Sequence, residues 1–195
     1  FGFVPTTSKG KKHGAYSLGV VSSDLDQDGD IDVYVAVDSR PNLLFENLGS
    51  GKFREVGQSW QTARNVDGQD QAGMGVATAD LNDDMMPDLF VTNFSHDTNT
   101  LYLNAGVKTN MYFDDRSSQV GLGGDASFPY LSWGISINDF NGDGLLDIFV
   151  ASGHVYPQAS GDTNLGTAYA QPNQLYIAEK SLQFKDRALD AGHAV

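Results

Sequence analysis

One pattern is written three times along this chain, and any fold must satisfy it three times. It reads SLGVVSSDLDQDGDIDVYV at residues 17–35, GMGVATADLNDDMMPDLFV at 73–91 and SWGISINDFNGDGLLDIFV at 132–150. Its acidic runs open at Asp24, Asp80 and Asp139, 56 and 59 residues apart. A period in this range marks a repeat architecture. Each unit is too small to bury its own apolar face and stacks on its neighbours to make a continuous core.

The likeness continues downstream of each acidic run. Asn42-Leu43-Leu44-Phe45-Glu46-Asn47 matches Asn99-Thr100-Leu101-Tyr102-Leu103-Asn104 and Asn173-Gln174-Leu175-Tyr176-Ile177-Ala178. A fourth short segment follows each time, beginning at Phe53, Tyr112 and Gln183. Alternation and β-branched or aromatic content, as in Val33-Tyr34-Val35 and Ile148-Phe149-Val150, predict strands, and Gly49-Ser50-Gly51 predicts a hairpin turn. No segment has the period of an amphipathic helix. The expected fold is all-β, with β-propeller blades of four antiparallel strands and an acidic loop between the first two strands of each. The units fall at about 14–57, 72–118 and 130–188. A β-sandwich with acidic turns is the competing architecture, but it gives no reason for a four-part pattern to recur three times.

Three blades are fewer than the 4 to 8 or so that close a propeller. The chain is therefore expected to be part of a larger propeller and to meet other blades or protein chains at its ends. Residues 1–13 and 189–195 fit no unit and are expected to be stubs of neighbouring blades. The start at Phe1 is expected to mark a processed or excised chain.

The first acidic loop is Asp24-Leu25-Asp26-Gln27-Asp28-Gly29-Asp30-Ile31-Asp32. Calcium is a hard cation that takes about 6–8 oxygen ligands. Carboxylates at loop positions one, three, five and nine, with the backbone carbonyl of position seven, supply most of that shell. Glycine at position six permits the sharp turn that folds position seven inward. Ile31, at position eight, is expected to anchor the loop to the core. An EF-hand begins in the same way, but it closes on a bidentate Glu at position twelve and lies between helices. Here position twelve is Val35, Val91 or Val150, and position nine is always aspartate: Asp32, Asp88 and Asp147. The EF-hand is excluded.

A single Asp-rich turn is usually a solvated one. Three in register hold twelve of the chain's 25 acidic residues, and charge so clustered repels itself without a cation. About three calcium ions are expected, which would bring the formal charge from −13 to −7. Magnesium prefers a tight octahedron and keeps its waters. Zinc and iron favour nitrogen and sulfur, and this chain has no cysteine and four scattered histidines.

The net charge of −13 argues against nucleic acid or an anionic membrane surface as partner, since Lys9, Lys11 and Lys12 form the only basic patch. No apolar run approaches the ~18 residues of a membrane span. Without cysteine, a chain working outside the cell needs another source of rigidity, and bound metal would serve. The sequon at Asn93 carries little weight, because such tripeptides arise often by chance.

The loop pattern D-x-[DN]-x-D-x-x-x-D between strands resembles the FG-GAP/VCBS repeats of integrin-α-like propellers. The wording is more similar still to the propeller region of the ASPIC/UnbV, cartilage-acidic-protein family. It rests on Gln71-Ala72-Gly73-Met74-Gly75-Val76, Leu89-Phe90-Val91-Thr92-Asn93-Phe94-Ser95, Thr98-Asn99-Thr100-Leu101-Tyr102, Pro129-Tyr130-Leu131-Ser132-Trp133-Gly134 and Gly153-His154-Val155-Tyr156-Pro157, and spans residues 14–188. The resemblance implies a calcium-bearing blade array in a protein that is secreted, on the cell surface or periplasmic. It implies as loop ligands Asp24, Asp26, Asp28, Asp30 and Asp32; Asp80, Asn82, Asp84, Met86 and Asp88; and Asp139, Asn141, Asp143, Leu145 and Asp147. Two departures stand out. Met85 occupies a position where glycine is usual, and no segment of this sequence is expected to correspond to the family's C-terminal domain, so nothing that resides there transfers.

Outside the loops, His154 opens the one long insertion, running to about Pro172, and is expected to be a hydrogen-bonded structural residue. The insertion itself is the best candidate for a binding loop, for a glycan or a protein. Trp133 is expected in the core, while Trp60, in a polar connection from Gln58 to Gln71, could equally face a sugar ring. Asp114 and Asp115 are adjacent in a strand and point to opposite faces, a poor catalytic dyad. No nucleophile elbow, zinc-protease or phosphate-loop motif occurs. The leading expectation is a noncatalytic calcium-binding module for adhesion, protein interaction or assembly. The alternatives are a propeller domain of a polysaccharide-acting enzyme and a structural or filament subunit.

Overall fold

In the computed structural model, which describes residues 15–106, 110–161 and 166–192, twelve strands form three four-stranded antiparallel sheets. The first sheet contains β1 (Ser17–Ser23), β2 (Asp32–Val37), β3 (Leu43–Asn47) and β4 (Phe53–Glu55). The second contains β5 (Gly73–Ala79), β6 (Asp88–Asn93), β7 (Thr100–Asn104) and β8 (Phe113–Asp115). The third contains β9 (Ser132–Asn138), β10 (Asp147–Ser152), β11 (Gln174–Lys180) and β12 (Gln183–Asp186). Within each sheet the strands lie side by side in chain order. Among the described residues, helix is confined to two short 3-10 turns, Gly124–Ala126 and Pro157–Gly161. Lys9, Lys11, Lys12 and the proposed stub at 1–13 lie outside the described residues.

Register repeats along with sequence. Val20 faces Val35, Val76 faces Val91 and Ile135 faces Val150 across the first strand pair of each sheet. An irregularity interrupts that pair between Ser17 and Gly19, between Gly73 and Val76, and opposite Val150 and Ser152. Such bulges bend a strand and re-aim its backbone. Here they bring first strands together, β1 against β5 and β5 against β9. Glycine is required at this contact. A Cβ on Gly19 would lie 2.7 Å from the Met74 carbonyl oxygen, and one on Gly75 would overlap the Trp133 carbonyl.

The two junctions hold the core. Alternation sends Tyr34, Ala36 and Leu44 to one face of the first sheet, where they pack on Leu89, Val91, Tyr102 and Phe113 of the second. Phe90, Leu101 and Leu103 leave the opposite face of the second sheet and pack on Ile148, Val150, Tyr176 and Ala178 of the third. The connection leaving each sheet passes into the same seam. Trp60 and Val56 lie in the first core, Val120 and Leu122 in the second. Trp60 is thus buried and not available to a sugar ring.

Each connection begins with the same turn. Val56, Arg116 and Arg187 donate their N–H to Leu44, Leu101 and Leu175 (2.8, 2.9 and 2.7 Å), and four residues later Trp60, Val120 and Ala191 bond back (2.8, 3.2 and 3.1 Å). The next residue has positive φ each time: 61° at Gln61, 86° at Gly121 and 107° at Gly192. Residues 189–192 therefore complete the third copy of this turn, where the sequence suggested a segment outside any unit. Residues 193–195 lie outside the described residues. Tyrosines on the third strands pin the connections, with Tyr102 Oη donating to the Arg64 carbonyl (3.0 Å) and Tyr176 Oη to that of Ala126 (2.9 Å).

Candidate metal centre

The nine-residue loops link the first and second strand of each sheet, and hydrogen bonds give all three one shape. The position-one carboxylate is the hub. Asp24 accepts from the N–H groups of Asp28 and Gly29 (both 3.0 Å), and Asp80 from Asp84 (3.0 Å) and Met85 (2.7 Å). Asp139 accepts from Gly142 (2.6 Å), Asp143 (3.1 Å) and Gly144 (2.9 Å), and those amides hold its carboxyl below the usual carboxylate range. Position three bonds the position-five amide in each loop: Asp26 to Asp28 (3.2 Å), Asn82 to Asp84 (3.2 Å) and Asn141 to Asp143 (2.9 Å). Position five in turn caps position seven, through Asp30, Met86 and Leu145 N–H (2.9, 2.8 and 2.8 Å).

Position nine does something different. Asp32 is buried and accepts from Leu25 N–H (3.0 Å) and Asn47 N–H (2.8 Å). Asp88 does the same with Leu81 and Asn104 (both 2.9 Å), and Asp147 with Phe140 (3.0 Å) and Ala178 (2.9 Å). Each ninth aspartate thus ties the second loop residue to the end of the third strand. Burial, partly offset by those two amides, pushes the Asp32 carboxyl up to about 6 and that of Asp88 up to about 7.

In the first loop one carboxylate oxygen each of Asp24, Asp26 and Asp28 lies within 4.8 Å of the others. Burial first, and then the charge of Asp28, raises the Asp26 pKa, as expected where acids share a site. Asp30 and Asp32 stand outside that trio. In the other two loops Asn82 and Asn141 replace the third acid, and their Nδ2 groups donate to Asp84 (2.8 Å) and Asp143 (2.9 Å). Every donor in these sets is an oxygen on a short, amide-braced loop, which suits a hard cation.

The turn chemistry departs from expectation at two points. Positive φ occurs at position four as well as six: 56° and 97° at Gln27 and Gly29, 61° and 68° at Asp83 and Met85, 80° and 89° at Gly142 and Gly144. Met85 does occupy a left-handed conformation, as its replacement of glycine suggested. In the first loop the anchor is position two rather than position eight: Leu25 is 1% exposed, whereas Ile31 is 51% exposed. The bond from Leu25 N–H to Asp32 turns the Leu25 side chain into the seam and leaves Ile31 on the outer surface.

Three asparagines hold the sheets in a way that their recurrence alone does not reveal. Oδ1 of Asn42, Asn99 and Asn173 accepts from Val37, Asn93 and Ser152 N–H (2.8, 3.0 and 3.1 Å), closing the second strand of each sheet onto the third. Asn47 and Asn104 also hold the loops, donating from Nδ2 to the Ile31 carbonyl (3.1 Å) and, across the junction, to the Leu25 carbonyl (2.7 Å).

The polar residues that the sequence raises outside the loops make structural bonds. His154 is buried, accepts from Tyr156 N–H at Nδ1 (3.1 Å) and packs against the Phe94 ring. Trp133 packs beside Met74 and Leu131 and donates from Nε1 to the Gly153 carbonyl (2.8 Å). Asp114 pairs with Arg116 (2.6 Å), while Asp115 caps Ser117 (3.1 Å) and Val66 (2.9 Å). Asn93 is fully buried, with Nδ2 on the Thr98 carbonyl (2.6 Å), so the folded chain presents no sugar acceptor there. Residues 162–165 of the insertion lie outside the described residues. No described helix is long and apolar enough to cross a membrane.

Comparison with known proteins follows the same periodicity. The sequence profile of the FG-GAP-like repeat matches residues 24–91 and again 80–150. Each match runs from the start of one acidic loop to the second strand of the next unit. Cartilage acidic protein 1 of Xenopus tropicalis is 30% identical over 118 residues, 60% of this chain and 17% of that protein. Cartilage acidic protein 1 of Homo sapiens is 31% identical over 118 residues, 60% of this chain and 16% of that protein. The matched stretch is thus a small part of either relative.

Proposed function

The chain belongs to the FG-GAP-like repeat family, and from that premise we propose that it is a calcium-stabilised, noncatalytic set of β-propeller blades working outside the cell in adhesion or assembly. The observation that carries this reading is the loop geometry. Three separate sequences wrap the amides of positions five, six and seven around the side-chain oxygens of positions one, three and five, and in the first they hold three acids within 4.8 Å of each other. Acids held so close repel one another. A divalent cation on Asp24, Asp26 and Asp28 and on their counterparts turns that repulsion into binding energy. Asp80, Asn82 and Asp84 would hold the second ion, and Asp139, Asn141 and Asp143 the third, with the carbonyls of Asp30, Met86 and Leu145 completing the shells. The ninth aspartates support each site by fixing the loop, and retain lone pairs for the ion.

Noncatalytic action is supported by the way the other polar groups are used. His154, Asp114 and Asp115 are committed to structural bonds. A cavity of about 210 Å³ beside Arg64 and Asp115 has its arginine paired with Asp70 at 2.6 Å. The extracellular setting is supported by relatives named for cartilage and for their acidity.

Melting the chain in calcium and in chelator tests the proposal. Saturating calcium at a hundred times the dissociation constant is expected to add about 2.7 kcal/mol per site, with magnesium at equal concentration adding less. A midpoint unchanged by chelator would sink it. Turnover of a polysaccharide that is lost on replacing a residue outside the loops would overturn the noncatalytic part.

A further inference from the structure

Asn141 is the one asparagine of the chain that is followed by glycine. The pair Asn141-Gly142 fills positions three and four of the third acidic loop, and both residues are exposed. An asparagine amide carbon is open to attack by the backbone nitrogen of the next residue, and the next side chain is what ordinarily obstructs that attack. Gly142 has no side chain and holds φ at 80°, with nothing within 4 Å of where a Cβ would lie.

The loop also places the groups that such an attack draws on. Gly142 N–H donates to Asp139 Oδ1 at 2.6 Å, so a carboxylate lies within reach of the proton that the nitrogen must lose. Asn141 Oδ1 accepts from Asp143 N–H at 2.9 Å, a donor aimed at the oxygen on which negative charge builds. Asn141 Nδ2, the departing nitrogen, donates to Asp143 Oδ2 at 2.9 Å, which fixes the amide in place.

The middle loop supplies the internal comparison. Asn82 has the same place and the same two bonds, one from Asp84 N–H (3.2 Å) and one to Asp84 Oδ2 (2.8 Å). But Asp83 follows it, with a side chain and a negative charge. The Asp80 carboxylate accepts from Asp84 and Met85, one and two residues beyond the amide that would have to attack.

We propose that Asn141 is a site of spontaneous deamidation, promoted within the third loop by Gly142, Asp139 and Asp143. The Gly142 nitrogen bonds to Asn141 Cγ, the Cγ–Nδ2 bond breaks, and Nδ2 leaves as ammonia with the proton that Gly142 gives up. The product is a cyclic imide. Water then opens it at either of its two carbonyl carbons, giving an aspartate or an isoaspartate, with no change in oxidation state. Either product adds a negative charge to a chain already at −13. Aspartate gives the third loop the acids that Asp24, Asp26 and Asp28 give the first, and sets a carboxylate against Asp143 where an amide had donated. Isoaspartate lengthens the backbone by one carbon between positions three and four, and so draws the following amides off Asp139. The inference makes no use of a bound ion.

The test holds the full chain in chelator at mildly alkaline pH in heavy-oxygen water and follows its peptides by mass spectrometry. The Asn141 peptide should gain an acid carrying heavy oxygen more than ~tenfold faster than the Asn82 peptide, a barrier difference of about 1.4 kcal/mol. Gly142→Ala should abolish that lead. Alanine is strained at this φ, so Asp83→Gly serves as the reverse variant: glycine is at ease at the φ of 61° found there, and Asn82 should become reactive. The folded chain should also react at least as fast as the chain unfolded in guanidinium, since the bonds to Asp139 and Asp143 exist only in the loop. An Asn141 that stays intact, or that reacts no faster than Asn82, overturns the proposal. So does a folded rate far below the unfolded one, because the loop would then protect the amide rather than activate it. An Asn82 left inert by Asp83→Gly overturns it too, by removing the glycine as a cause.

Discussion

The first and middle acidic loops trace one backbone with two different sets of residues. Both place positions four and six at positive φ, both wrap two amides onto the first aspartate, and both bury the ninth. Yet the first offers carboxylates at one, three, five and nine with glycine at six. The middle has Asn82 at three, Met85 at six and Pro87 at eight. Shape and charge are therefore specified by different positions. Positions one, five and nine draw the loop. Position three sets the negative charge inside the loop, and position six sets the backbone strain. The two loops also touch, through a short hydrogen bond from Gln27 Nε2 to the Met85 carbonyl.

The largest expected effect comes from removing what the two loops share. Asp32→Ala and Asp88→Ala each leave two backbone donors, Leu25 and Asn47 or Leu81 and Asn104, without their acceptor. An unsatisfied buried group costs about 1–3 kcal/mol, so each change, which leaves two, should cost about 2–6 kcal/mol. The cost should be alike in the two loops and should persist in chelator. Urea unfolding with and without calcium measures it. A loss seen only with calcium would make the ninth aspartate a ligand alone and erase the division of labour drawn above.

Much of this comparison is legible in the amino-acid sequence, because recurrence separates signal from chance. Strands, loop limits and the odd residue at Met85 all emerge on placing Asp24, Asp80 and Asp139 in register. What the sequence hides is long-range. Position eight reads as the anchor because Ile31 is apolar and adjoins a strand; the bond between Leu25 and Asp32, across the loop, assigns that role to Leu25 instead. Positive φ at position four leaves almost no trace in the residues, since only Gly142 announces it and Gln27 and Asp83 do not. Trp60 has polar neighbours in the chain, as a solvent-facing residue would, but its connection enters the seam between two sheets. The repeated glycines are plain in sequence, whereas their cause, a neighbouring carbonyl, is not.

A smaller effect separates the loops by charge. The first loop should fill with calcium before the middle one, because Asp26 adds a carboxylate where Asn82 has an amide. A gap of about tenfold in affinity, or about 1.4 kcal/mol, is expected. Amide resonances of Gly29 and Met85 followed during a calcium titration report the two sites separately. Asp26→Asn should close most of the gap. Middle-loop filling ahead of the first, in the unaltered chain, would reverse the ranking.

The smallest effect isolates position six. Met85 holds φ at 68° with a side chain 81% exposed, so truncating it forfeits little packing. Its N–H bond to Asp80 and its carbonyl contact with Gln27 are backbone features that glycine keeps. Met85→Gly relieves a left-handed strain of order 1–3 kcal/mol, but the freer unfolded chain takes back about 0.4–1 kcal/mol. A net gain of about 1 kcal/mol remains. Gly29→Ala is the mirror experiment. Gly29 sits at φ 97° with nothing within 4 Å of a new Cβ, so its cost, again about 1 kcal/mol, is conformational and not steric. Measured in chelator, the two changes should have opposite signs, because only the backbone is being compared. If Met85→Gly destabilises there, the methionine is making a contact that its exposure hides, and position six is not the seat of the middle loop's strain.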